Sequence, residues 1–135
     1  MEGEHLKNLG SQKTEYDLST PCISILETFE NQYPENDYII TLTFPEFTSL
    51  CPKTKQPDFA TIKIEYTPDK KCIETKSFKL YLFSYRQYGS FMETITNKIL
   101  EDCFATCLPK YMKVTGIFNP RGGTYINVES KRYNT

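Results

Sequence analysis

A chain of 135 residues is long enough to bury a core but too short for a catalytic domain plus a separate cofactor domain, so one domain spanning residues 1–135 is expected to do everything. Its 16 basic side chains against 17 acidic ones leave a formal net charge of −1, without the basic excess of a dedicated nucleic-acid binder. No apolar run approaches the roughly eighteen residues of a membrane span, and Met1 to Lys7 shows no charged-then-apolar leader, which points to a soluble, cytoplasmic protein.

Residues 1–36 are polar and punctuated by Gly10, Pro21 and Pro34, with a short amphipathic turn around Ile23, Leu26 and Phe29; they read as an arm packed onto the domain or a neighbour. Tyr38 to Phe44 alternates, with Tyr38, Ile40, Leu42 and Phe44 on one face. Phe59 to Tyr66 sets Ala60, Ile62, Ile64 and Tyr66 against Thr61, Lys63 and Glu65. These are two half-buried strands, antiparallel to each other. Between them, from Pro45 to Asp58, the pattern predicts an ordered loop of about fourteen residues, a length that compact domains usually keep for function. Pro68-Asp69 ends the second strand and opens a connection to helix.

From about Lys76 to Tyr88 the spacing turns helical, with Phe78, Tyr81, Leu82 and Tyr85 on one face and Lys76, Lys79, Phe83 and Arg86 on another. Gly89 ends that helix. Ser90 with Glu93 three residues on has the spacing of a capping box for the next, whose stripe is Met92, Ile95, Ile99, Cys103 and Cys107 until Pro109. Tyr111 to Phe118 and Thr124 to Val128 return to alternation around an Asn119-Pro-Arg-Gly-Gly123 turn. The order ββααββ predicts an α+β layer, a four-stranded antiparallel sheet with two helices on one face. Its open edges and helix-free face call for cover by further copies, closing an oligomeric barrel.

Five cysteines, Cys22, Cys51, Cys72, Cys103 and Cys107, form an odd set without zinc-type pairing, as suits a reducing compartment. Cys103 and Cys107 share a helix face, but the single histidine, His5, sits in the polar arm, so no metal site is expected. The same shortage removes Ser-His and Cys-His nucleophile pairs and leaves carboxylates, tyrosines or lysines as acids and bases.

Cys51 follows the first strand, and a free thiol in a loop is more reactive than one in a core. Asp58, seven residues on, is either a turn aspartate after Pro57 or a proton donor for whatever the thiolate attacks. Lys76, Lys79 and Arg86, with Arg121 in its Gly-rich turn, read as a solvated face or as an anion site built on arginine forks and glycine amides. Spacing alone favours a capping role for Glu93. If it faces a pocket instead, its carboxylate suits the N–H and NH2 edge of a guanine-like ring. Neither dinucleotide-binding nor P-loop glycine pattern is present.

Taken together, Pro45-Glu-Phe-Thr-Ser-Leu-Cys51-Pro, Gln56-Pro-Asp58-Phe-Ala-Thr-Ile62, Glu74-Thr-Lys76-Ser-Phe-Lys79-Leu-Tyr81, Ser84-Tyr-Arg86, Phe91-Met-Glu93 and Asn119-Pro-Arg121-Gly-Gly123 resemble QueF, the NADPH-dependent 7-cyano-7-deazaguanine reductases of queuosine biosynthesis, in their short single-domain form. The resemblance runs from about Tyr38 to Gly123. It implies a tunnelling fold, rings of subunits with sites between them, and no metal. It also implies that Cys51 forms a covalent thioimide with the nitrile of 7-cyano-7-deazaguanine, that Asp58 shuttles protons, and that two NADPH complete reduction to the aminomethyl product. On the substrate side it sets Glu93, Met92, Glu74 and Ser77; on the NADPH side Lys76, Lys79, Arg86, Arg121 and Gly122. Two residues depart from the family pattern: Thr75 where Ser or Leu is usual, and Met92 where the pattern has histidine. Two other outcomes share part of the pattern: an amidine-forming relative that adds ammonia to the thioimide on tRNA, similar in Cys and Asp but without the NADPH-associated signature at Glu74 to Tyr81, and a deazaguanine-binding module with impaired catalysis. Retention of Glu74 to Tyr81 speaks against the first, and Cys51 with Asp58 against the second.

Overall fold

The computed structural model describes Glu2 and residues 20–134; most of the polar arm, His5 included, lies outside the described residues. The elements follow in the order β1 (Thr28–Glu30), β2 (Ile40–Leu50), β3 (Pro57–Thr67), β4 (Lys71–Ile73), α1 (Thr75–Phe83), α2 (Met92–Cys107), β5 (Tyr111–Arg121) and β6 (Thr124–Tyr133). The main sheet has the spatial order β2-β3-β5-β6 with every neighbouring pair antiparallel. This is the expected ββααββ layer.

Alternation decides which face is covered. On β3 Ala60, Ile62, Ile64 and Tyr66 are buried, as are Met112, Val114 and Phe118 on β5. Against them pack Phe78, Tyr81 and Leu82 of α1 and Ile95, Ile99, Leu100 and Cys103 of α2. Helix α2 approaches β5 so closely that a Cβ at Gly116 would lie 2.7 Å from Thr96 Oγ1 and from Phe118 Cε1. The opposite face carries Lys63, Glu65, Lys113, Thr115, Asn127 and Glu129 in an open groove. Cys72, Cys103 and Cys107 are core residues; burial pushes the Cys107 thiol up to about 12, so it stays protonated and inert.

Several boundaries differ from the sequence expectation. The segment after Pro68-Asp69 does not pass straight to helix: β4 pairs with β1, Thr28 opposite Ile73 and Glu30 opposite Lys71, as a separate two-stranded ribbon. Three-residue strands show too little alternation to be read. The amphipathic turn is a 3-10 turn at Ile23–Ile25 that buries Ile25 and Leu26, while Phe29 belongs to β1. The long loop shrinks to residues 51–56, because β2 runs on to Leu50 and β3 starts at Pro57. Pro45-Glu46 had broken the alternation; the register shift between Phe44 and Phe47 is a bulge on an edge strand, where a proline without an N–H is tolerated.

Helix α1 stops at Phe83, and residues 84–87 continue as tighter turns in which Tyr85 N bonds Leu82 O and Arg86 N bonds Phe83 O. The Ser90 capping box does not form. Phe91 is the N-cap of α2 without a side-chain bond, and Ser90 N donates to Leu50 O instead. The last turn is also tighter than expected: β5 reaches Arg121 and β6 starts at Thr124, with Gly122 and Gly123 at φ of 59° and 80°, the two-residue hairpin that needs positive φ at both positions. Among the described residues no helix is long and apolar enough to cross a membrane.

Candidate active site

Strand β2 ends where the segment after α1 crosses it. Leu50 N donates to Tyr88 O at 3.0 Å and Leu50 O accepts from Ser90 N at 3.3 Å, so the last strand residue is clamped to the lead-in of α2. The next residue is Cys51. Its carbonyl accepts from Lys55 N at 3.0 Å and its amide donates to Gln56 O at 2.8 Å, which closes residues 51–56 into one compact turn. Lys55 takes φ 62° to complete it, a conformation costly for a residue with a Cβ.

That turn has a chemical result. The half-buried Cys51 thiol is lowered from 9.0 to about 7, first by the Thr54 hydroxyl, then by the Thr54 and Lys53 amides, with Arg121 adding to the effect. A tight turn that aims side-chain and backbone donors at sulfur stabilises the thiolate as a helix N-terminus does. About half of such thiols are ionised at neutral pH.

Asp58, the second residue of β3, faces inward with Ala60 and Ile62 and is 4% exposed. Arg121, at the end of β5, donates from Nη1 to Asp58 Oδ1 at 2.8 Å and from Nη2 to Gln56 Oε1 at 2.8 Å, and its charge also helps to hold the Cys51 thiol low. The bulge between Phe118 and Arg121 and the tight hairpin deliver it there. One cation thus joins the nucleophile candidate, the acid candidate and the loop between them.

The other expected site residues fall into separate groups. Glu93 lies exposed in the first turn of α2, directly after the clamp that fixes Cys51; its backbone carbonyl accepts from Asn97 and its carboxylate has no partner among the described residues. Met92 beside it packs against the core. Glu74 caps α1, its two oxygens accepting from Lys76 N at 2.7 Å and Ser77 N at 2.8 Å. Ser77 is buried and bonds Glu27 N and Glu74 O. Lys79 and Arg86 lie over the Phe83 ring at 5.5 and 4.4 Å, with Phe44 against its edge, and none of Lys76, Lys79 and Arg86 is ion-paired among the described residues. Arg121 is drawn into the Cys51 turn instead of joining them, and Gly122 serves the hairpin. The described residues contain no group of three or more metal-ligating side chains.

The family model described as QueF-like protein matches residues 57–135, and the chain is 53% identical over 130 residues to the NADPH-dependent 7-cyano-7-deazaguanine reductase of Nitratidesulfovibrio vulgaris, covering 96% of this chain and 78% of that one. The chain belongs to the QueF family. A second QueF reductase, from Halorhodospira halophila, is 53% identical over 116 residues, 86% of this chain and 98% of its own; a third, from Bacteroides fragilis, is 54% identical over 123 residues, 91% and 80%. Among solved structures, an archaeosine synthase QueF-Like in its apo form superposes with a TM-score of 0.68 at 25% identity, over 74% of this chain and 98% of its own. The tunnelling-fold topology is therefore shared beyond the reductases.

Sequence reasoning missed Thr54, Gln56 and Ser49. Gln56 lies within a motif and Thr54 in the expected loop beside it, but only the closed turn reveals that they serve guanidinium and sulfur. Ser49 falls in the expected loop and within the motif around Cys51, where its spacing gives no hint that the β2–β3 register sets it opposite Asp58.

Proposed function

We propose that this chain uses Cys51 and Asp58 to reduce the nitrile of 7-cyano-7-deazaguanine to 7-aminomethyl-7-deazaguanine, with NADPH as reductant, in queuosine biosynthesis. The observation that carries the assignment is the Arg121 bridge between an acidified thiol and a buried carboxylate. The Cys51 thiolate adds to the nitrile carbon, one C–N π bond opens, and Asp58 gives the nitrogen its proton. For Asp58 to hold a proton, its Arg121 ion pair opens. The guanidinium then remains beside sulfur and steadies the thiolate.

NADPH supplies two hydrides per nitrile when bound. Lys79 and Arg86 fit its phosphates: they are held over Phe83, free of carboxylates among the described residues, and present fork and ammonium donors on the exposed surface at the end of α1. The α1 N-terminus is closed to a phosphate by its Glu74 cap, so Lys76 contributes its side chain alone. Glu74 and Ser77 then act on the site by fixing where α1 starts. Glu93, acidic and unpartnered near Cys51, recognises the ring's N–H and NH2 edge. Met92 can neither donate a proton nor accept a strong bond, which leaves proton delivery to Asp58.

Cys51 opens onto the end of the sheet, so the pocket needs walls from another copy. The groove of Lys63, Glu65 and Lys113, the exposed Phe59 and Ile117, and the edges of β2 and β6 are the surfaces such copies would cover, which supports a cytoplasmic homo-oligomeric barrel with sites between subunits.

The test is substrate-dependent NADPH oxidation. Two equivalents per nitrile with an amine product are expected. Conversion of the nitrile to an amidine with ammonia and no NADPH would place the chain with the archaeosine synthase, and a thioimide that never turns over would leave a binding module.

A further inference from the structure

Ser49 is fully buried, yet its hydroxyl has no hydrogen-bond partner among the described residues. An unpaired buried hydroxyl is destabilising, so position 49 bears a cost that alanine would avoid. The site to which it belongs is set by register: Ser49 is paired with Asp58 across β2 and β3, and both side chains are buried on the inner face. Directly opposite residues hold their Cβ atoms about 5 Å apart, within reach of a hydroxyl and a carboxylate after a rotamer change. Asp58 uses Oδ1 for Arg121, while Oδ2 has no partner among the described residues. Two residues beyond Ser49 comes Cys51.

We infer that Ser49 is the positioning residue of the acid, its Oγ–H turning to the Asp58 carboxylate as that group forms. The inference rests on Asp58 being the proton donor. In the step concerned, the Cys51 sulfur–carbon bond forms, the nitrile loses one π bond, the Asp58 proton moves to nitrogen, and the resulting carboxylate is left without its proton in a buried place. Arg121 steadies it from Oδ1 and Ser49 from Oδ2. In the free chain Arg121 alone pairs the carboxylate and the hydroxyl is unpartnered among the described residues; turned to Oδ2 it adds a second donor, so it favours the carboxylate left by proton transfer over the acid that precedes it.

The experiment follows thioimide formation on full-length protein mixed with 7-cyano-7-deazaguanine without NADPH, quenched at intervals and read by intact mass. Ser49→Ala is expected to keep or raise the melting temperature, retain substrate affinity and slow adduct formation about tenfold, the loss of one charge-assisted hydrogen bond. Because a buried position can reject a new side chain, the near-isosteric pair Ser49→Thr and Ser49→Val is run beside it. Threonine should keep most of the rate and valine should not. In an Asp58→Asn background, Ser49→Ala should cost nothing further.

A wild-type rate in Ser49→Ala, equal rates for threonine and valine, or the same loss with and without Asp58 would each overturn the inference. A wild-type rate in Asp58→Asn alone would overturn the acid assignment beneath it instead.

Discussion

Arg121 Nη1 lies 2.8 Å from Asp58 Oδ1, and the same guanidinium helps to lower the Cys51 thiol. The carboxylate is nearly inaccessible while the guanidinium is partly exposed, so the pair closes the inner end of the site with its cation turned outward. Truncating the cation leaves a buried carboxylate uncompensated and a thiolate with one donor fewer. Arg121→Gln is expected to lower the urea midpoint and slow both Cys51 alkylation and turnover. Circular dichroism and iodoacetamide kinetics read the two effects separately.

Thr54 is the largest cause of the low Cys51 value, so Thr54→Val should raise it. The sign follows from thiolate being the reactive form: alkylation of the wild type rises through a midpoint near pH 7, and the variant's midpoint lies higher. At pH 7 a rise of one unit slows alkylation about fivefold, while above both midpoints the rates converge. A profile unchanged from wild type would remove Thr54 from the site.

Lys79 and Arg86 should act on NADPH and not on the nitrile. Lys79→Ala and Arg86→Ala are each expected to raise the KM for NADPH roughly tenfold and to weaken its salt dependence. Thioimide formation without NADPH should stay at the wild-type rate. Steady-state kinetics at two ionic strengths, with intact mass in parallel, check both halves.

The packing of α2 on β5 leaves no room at Gly116, where a Cβ would meet Thr96 Oγ1 and the Phe118 ring at 2.7 Å. Gly116→Ala should cost about 1–3 kcal/mol of stability in urea unfolding. Because Thr96 Oγ1 donates to Met92 O in the first turn of α2, the same change should also disturb the position of Glu93 and reduce kcat.

Much of this was legible in the residues because alternation and helical spacing report burial directly. The core face of β3 and the stripes of α1 and α2 appear where period two and period 3.6 place them. What failed to show was local. Pro45-Glu46 hid the continuity of β2, since a bulge breaks alternation without ending a strand. Ser90 and Glu93 had capping spacing, but Leu50 O captured the Ser90 amide and left Glu93 exposed. Arg121 looked like a phosphate ligand in a glycine turn; register, which sequence does not print, brings it to Asp58. The resemblance sets Glu74 with the substrate; in the structure α1 starts at Thr75, one residue before the expected Lys76, which makes Glu74 its N-cap.

The central claim is that the Cys51 sulfur bonds to the nitrile carbon. Intact mass spectrometry of the protein incubated with 7-cyano-7-deazaguanine in the absence of NADPH tests it most directly. The account predicts one substrate added per chain in the wild type, none in a folded Cys51→Ala variant, and release of the amine when NADPH is supplied. An adduct that survives in Cys51→Ala, or substrate-dependent NADPH oxidation by that variant, would contradict it.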